Sequence, residues 1–239
     1  MRDNALHGGQ QAYIDVKRTL VRGQRGLCAY CEARLADGLD DQALDAKKHE
    51  QRVEHYHPKS DKTGALNWAL EWSNMWAVCL GGSSRPPQGA PPDPLGFLEP
   101  LPANLSCDAF KEHQVDARRL PVDPEGWILS PADVPAFPIL FQFAPVGTPE
   151  PHSSNCAATT MPGNQHVSTE MLVSETIKHL NLGYVRLNEA RRVARAQLEK
   201  RIEIARKRSP ASGTRPPVVT RSANCSPALL PPLGRSSLP

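Results

Sequence analysis

The stretch Arg52-Val53-Glu54-His55-Tyr56-His57-Pro58-Lys59-Ser60 decides how this chain is read. Residues Arg52–Pro58 predict a short strand that Pro58 ends, because proline cannot donate to a sheet ladder. A carboxylate directly before a histidine, with proline three residues after the histidine, sets an oxygen ligand beside a titratable ring at the strand's end. A Glu-His pair by itself is most often a surface salt-bridge partner. Its meaning therefore depends on what flanks it.

Cysteines flank it on both sides. Cys28-Ala-Tyr-Cys31 has the spacing at which a tight turn can aim two thiolates at one ion, and Cys79 and Cys107 could complete a tetrahedral site. The second pair is unusual, since 27 residues separate its members. Unrelated buried cysteines would look similar. Cys156 and Cys225 lie in segments with little predicted order and are read as free thiols. Between the cysteine pairs Asn74 follows in Trp72-Ser-Asn-Met-Trp76, and Cys107 opens Cys107-Asp-Ala-Phe-Lys111.

Hydrolysis of a phosphodiester accounts for these residue types. It needs an activated water, charge stabilisation on the phosphoryl oxygens and help for the departing oxygen. A neutral imidazole can take the proton from water, which makes His55 the candidate general base. Glu54 and Asp108 are the candidate ligands of one Mg²⁺ or Mn²⁺, and thiolates of Cys28, Cys31, Cys79 and Cys107 favour a structural Zn²⁺. Asn74 cannot titrate, so it is assigned a hydrogen bond that fixes the loop or the His55 ring within the catalytic set, with a helix cap as its plain alternative. His57, Lys59 and Lys111 are candidates for substrate phosphate, although His57 could simply pack beside Pro58 and Lys111 could be solvated.

Taken in order, Cys28-Ala-Tyr-Cys-Glu32, Val53-Glu-His-Tyr-His-Pro-Lys-Ser60, Trp72-Ser-Asn74 and Cys107-Asp-x-x-Lys111 resemble the HNH subunit of Septu-type antiphage systems, including its retron-associated relatives. In zinc-module nucleases of the HNH type the last cysteine is followed by His, Asn or Asp and, three residues later, by Lys, the positions of Asp108 and Lys111. Glu175-Thr-Ile-Lys-His-Leu-Asn-Leu182, with Leu187 and Arg191, resembles that family's C-terminal helices, so the resemblance covers about residues 10 to 205. It implies an α+β fold with a ββα-metal core, endonuclease activity on nucleic acid (DNA or RNA), a role in phage defence and a partner ATPase of the ABC/SMC type. A zinc-stabilised module that binds nucleic acid or a partner without cutting is the alternative.

The rest of the chain supplies the setting. Residues Gln10–Val21 predict a helix with an apolar stripe of Tyr13, Val16, Leu20 and Val21. Asp40–Gln51 is a candidate solvated helix, and Leu66–Leu80 a turn into a helix or strand. Five prolines in Ser83–Pro94 preclude regular structure there. Trp127–Phe143 has strand-like pieces, and 144–165 reads as a loop. Leu172, Thr176 and Leu180, then Leu187, Ala190, Ala194, Leu198, Ile202 and Ala205, keep helical spacing, with Asn181-Leu182-Gly183 between two helices. The expected organisation is a lead-in over 1–26, a nuclease domain over 27–143, a linker over 144–167, helices over 168–208 and a disordered tail over 209–239 rich in Pro and Ser.

Composition adds bounds. The chain has 239 residues, 24 prolines and a net charge of +3, so charge alone points to no partner. Arg186–Arg208 does concentrate nine Lys/Arg against three Glu, a candidate phosphate-contacting or docking helix. No apolar run would span a bilayer and the first residues lack the apolar stretch of a signal peptide, which leads to the expectation of a cytoplasmic protein with no membrane partner. Six cysteines in that compartment are expected to be free or metal-bound.

Overall fold

Tyr13, Val16, Leu20 and Val21 recur at helical spacing and do form the inner face of α1 (Gln10–Gly23), where Leu20 and Val21 are buried. The structure, a computed structural model, describes residues 10–47, 49–61, 66–84 and 99–208. Most of the proline-rich insert and the whole tail from Ser209 lie outside the described residues.

Asp40 then starts α2 (Asp41–Ala46) by accepting a hydrogen bond from the Ala43 N–H at 2.9 Å. The helix is shorter than the charged run suggested, and it is not wholly solvated, because Leu44 is buried in the core. β1 (Gln51–His55) pairs antiparallel with β2 (Met75–Cys79), in a register that sets Glu54 opposite Trp76 and His55 opposite Met75. A single 3₁₀ turn, Trp72–Asn74, leads into β2, and Glu71 caps it through the Ser73 N–H. After the proline-rich segment α3 (Cys107–Asp116) packs on β2. Two antiparallel strands followed by a helix thus form the centre of the molecule.

Gly81 explains how Cys79 and Cys107, with 27 residues between them, become neighbours. Its φ is +59°, and a Cβ placed there would sit 2.1 Å from the Ser106 carbonyl oxygen. Only glycine allows the exit of β2 to run this close to the residue before Cys107. A 2.8 Å hydrogen bond from the Ser106 N–H to the Gly81 carbonyl closes the loop.

Beyond α3 the strand-like pieces of Trp127–Phe143 reduce to β3 (Phe141–Phe143), which pairs with β4 (Pro149–Pro151). Residues 144–165 are therefore more than a loop. They contribute β4 and α4 (Ser153–Ala157), and Cys156 on α4 is buried among Leu129, Leu140, Met161, Leu172 and Val173. Two prolines hide the strand from sequence reading, yet an edge strand tolerates residues that donate no hydrogen bond. α5 (Thr169–His179) is capped by Ser168, and α6 (Val185–Arg208) follows the turn at Asn181, whose φ is +46°.

Two apolar clusters result. One surrounds β1, β2 and α1 through Leu20, Val21, Leu35, Leu44, Ala77 and Val78, and the other lies under α4 and α5; Ile177 touches both. By contact density the chain forms one unit over Met1–Ala194 and a second over Arg195–Pro239. Within the second unit residues 195–207 are helical and exposed, with ion pairs Arg195–Glu199 and Lys207–Glu203.

Candidate metal centre and active site

The first cysteine pair sits in a tight hairpin. Leu27 bridges Arg34, the Cys28 N–H donates to Ala33 O at 2.9 Å, and the Glu32 N–H donates to Cys28 O at 3.0 Å. Glu32 closes the turn with φ +58°, a conformation other residues adopt at a cost. Cys79 comes from the last residue of β2 and Cys107 from the first of α3. The four sulfurs lie within 4.8 Å of one another. Cys31 Sγ is 3.8 Å from Cys79 Sγ, which is 3.7 Å from Cys107 Sγ.

Those separations fit a metal better than a disulfide. Sulfurs at the corners of a tetrahedron with Zn–S of about 2.3 Å stand roughly 3.8 Å apart, whereas a disulfide needs about 2.05 Å. The Cys79 N–H also points at Cys28 Sγ, 3.4 Å away, as expected where a sulfur carries negative charge. Hydrogen bonds led by that of Cys107 hold the Cys28 thiol well below the usual range, and the contact with Cys28 holds Cys107 well above it. A cation would complete the cluster.

The second constellation is beside this base. Arg52 and Glu54 are two apart on β1 and share a face, the one α3 covers. Arg52 Nε reaches Asp108 Oδ2 at 2.6 Å, and the Lys111 ammonium contacts Glu54 Oε1. Lys111 Nζ also donates to the carbonyls of His55 (3.2 Å) and Tyr56 (3.1 Å), and the Tyr30 hydroxyl reaches Glu54 Oε1 at 3.5 Å. Asp108 is 5% exposed, and its Oδ1 has no partner among the described residues. Burial raises its pKa to about 7; Glu54 adds to the shift and Arg52 opposes it. Two carboxylates close enough to repel, one with an orphaned oxygen, suit a divalent cation in an oxygen-rich site.

His55 stands at the end of β1. Its Nε2 is 3.2 Å from the Ala69 carbonyl, and its Nδ1 has no partner among the described residues. A carbonyl can only accept, so Nε2 carries the hydrogen and Nδ1 keeps a free lone pair. Burial, followed by the charge of Lys59, lowers the pKa of the ring and keeps it neutral near pH 7.

The other predicted residues divide into inward and outward groups. Asn74 is buried and its amide clamps the chain after His55, with Oδ1 accepting from His57 N at 2.6 Å and Nδ2 donating to His57 O and Trp68 O at 3.0 and 2.8 Å. His57 stacks on Trp68 with ring centroids 4.0 Å apart, while Asp123 and Glu125 flank its Nδ1 and Nε2 at 3.3 and 3.6 Å. Lys111 also faces inward. Lys59 alone of the three substrate candidates is exposed. Sequence reading missed Arg52, Tyr30 and Trp68. Only Arg52 left a signal, since strand alternation sets it on the face of Glu54.

Fold and site together define an α+β protein with small sheets, whose clustered cysteines could bind a metal beside a Glu-His-Asp constellation. Over 183 residues, 75% of its length, the chain is 39% identical to the "Retron Ec83 putative HNH endonuclease" of Escherichia coli. It spans 64% of the length of that relative. No family model matches the chain. Among the described residues no helix is long and apolar enough to cross a membrane.

Proposed function

We propose that this protein is a metal-dependent HNH endonuclease that hydrolyses phosphodiester bonds of nucleic acid. The observation that carries the reading is the His55 ring, tied by Nε2 to Ala69 O with Nδ1 free, next to the paired carboxylates of Glu54 and Asp108. Nδ1 of His55 takes a proton from the attacking water. Glu54 and Asp108 hold Mg²⁺ or Mn²⁺, which when bound neutralises charge on the phosphoryl group and the departing oxygen. Lys111, anchored on two main-chain carbonyls, orients Glu54, and Arg52 does the same for Asp108. Asn74 fixes the loop that leaves His55, and His57 reinforces it from beneath through Trp68. Lys59 is assigned to substrate phosphate, while the inward-facing His57 and Lys111 are assigned to positioning.

The four cysteines hold one structural Zn²⁺ that ties the hairpin, β2 and α3 together. The similarity to a retron HNH endonuclease supports an effector role in antiphage defence, and the motif resemblance to Septu systems supports an ABC/SMC-type ATPase as partner. A cytoplasmic location accords with both. A second reading has one observation in its favour: both carboxylates already have a cationic neighbour, Lys111 or Arg52, as in a zinc-stabilised binding module without cleavage.

Incubation of the purified protein, with and without the ATPase, with labelled DNA and RNA and Mg²⁺ or Mn²⁺ separates the readings. His55→Ala is expected to lose at least about 10²-fold in cleavage rate, the lower end for general-base catalysis, with zinc content and melting temperature unchanged. Cleavage by His55→Ala at the wild-type rate would leave the binding module as the better account.

A further inference from the structure

The far end of α3 opens a cleft of about 700 Å³ that the catalytic residues do not use. Arg118, Arg119 and Lys178 line it, Lys178 paired at 2.7 Å with the cleft's single carboxylate, Glu175, and Trp127 forms part of its wall. Neither Arg118 nor Arg119 makes an ion pair among the described residues. Trp127 is 40% exposed, and His166 braces it edge-on at 5.6 Å. His166 Nε2 bonds the Trp127 carbonyl at 3.0 Å, so the ring's backbone is fixed as well.

Arg118 sits in a left-handed turn, as Arg25 does after α1. It ends α3 with φ +56°, where glycine is the usual residue, and its N–H donates to Val115 O. Retaining arginine there costs conformational energy. The C-terminus of α3 favours a cation at this position.

The position relates the cleft to the proposed active site. Val115, which lines the cleft, lies seven residues after Asp108, almost two turns, and so within about 20° of the same side of α3. Asp116, the last residue of α3, lies roughly 12 Å beyond Asp108 at the helical rise, and Arg118 and Arg119 follow it.

We infer that this cleft binds an unstacked nucleotide of single-stranded nucleic acid flanking the scissile phosphate, with the base on Trp127 and phosphates on Arg118, Arg119 and Lys178. An exposed aromatic beside a cationic track is the arrangement single strands require, and a duplex offers no free base face. The inference rests on the nuclease reading for the direction of the strand.

The test uses the full zinc-bound chain without added Mg²⁺ or Mn²⁺ and a labelled 12-nucleotide strand, as DNA and as RNA, containing 2-aminopurine. Anisotropy is expected to show Trp127→Ala binding about five-fold or more weaker, with Trp127→Phe restoring most of it. Stacking should quench 2-aminopurine fluorescence in wild type and not in Trp127→Ala. Arg118→Gly relieves the left-handed backbone, so it should keep or raise the melting temperature while lowering the salt dependence by about 0.7 in log–log slope. Wild-type affinity and unchanged quenching in Trp127→Ala would overturn the cleft and leave the nuclease intact. Equal displacement of the strand by polyglutamate would also overturn it, since charge alone would then explain binding. Trp127-dependent binding by a wild-type chain that cuts neither DNA nor RNA would support the cleft and overturn the nuclease reading.

Discussion

The two apolar clusters of this protein are built on different principles. Around β1, β2 and α3 the core includes two of the four clustered cysteines, Cys28 and Cys107, and the buried charges of Asp108 and Lys111 lie against it. Under α4 and α5 the core is Leu129, Leu140, Met161, Leu172 and Val173, with the buried thiol of Cys156. Among its polar contacts the Thr176 hydroxyl accepts from Leu129 N and donates to Leu172 O. Burying charges costs free energy that an apolar core recovers elsewhere. The front region keeps its buried charges in close ion pairs, Asp108 with Arg52 and Lys111 with Glu54, and a metal on the cysteines would tie the same elements together.

The largest expected break in this comparison is at the cysteines. Cys107→Ser should reduce bound zinc from one per chain to a small fraction and abolish cooperative unfolding of the front region, because structural zinc contributes about 10–16 kcal/mol of apparent binding energy. Cys156→Ser, which alters the other core, should leave zinc content unchanged and shift the melting temperature only slightly. Metal analysis with thermal melts checks both, and equal zinc in the two variants would remove the metal from the front region.

Leu172→Ala tests the converse. Truncating this buried leucine should cost about 2–5 kcal/mol without changing zinc content. Hydrogen exchange is expected to show lost protection in α5 and β4 before β1 and β2. Simultaneous loss in all four would mean that the two cores unfold as one.

A smaller effect sharpens the electrostatic side. Asp108 titrates near 7 in the folded chain against 3.8 for the free side chain, so the folded state binds the extra proton between those values. Its contribution to stability is complete below about 3.8 and lost as pH rises through about 7. The lowered pKa of His55 acts the other way, costing stability as pH falls through its usual value of about 6.5. Asp108→Asn should therefore remove a decline in melting temperature between about pH 4 and 7, measured at constant zinc without Mg²⁺ or Mn²⁺. An unchanged pH slope in that variant would show that Arg52 keeps Asp108 ionised throughout.

Local pattern carried much of this molecule. The stripe of Tyr13, Val16, Leu20 and Val21 predicts α1, Asn181-Leu182-Gly183 separates α5 from α6, and the order of cysteines around Glu54-His55 marks the candidate site, because helical period, turn conformations and ligand chemistry are properties of residue type. The strand over Pro149–Pro151 and the helix over Ser153–Ala157 were not legible, since their short segments are held by packing against α5 and not by their own propensity. Distance-dependent facts were out of reach as well. Only the tertiary structure decided that Cys79 and Cys107 meet across 27 residues through the Gly81–Ser106 contact, that Lys111 turns inward to Glu54, and that Arg52 faces Asp108. Sequence fixes which groups can ionise or ligate, but their partners and burial, which set charge and pKa, depend on chain segments brought together by folding.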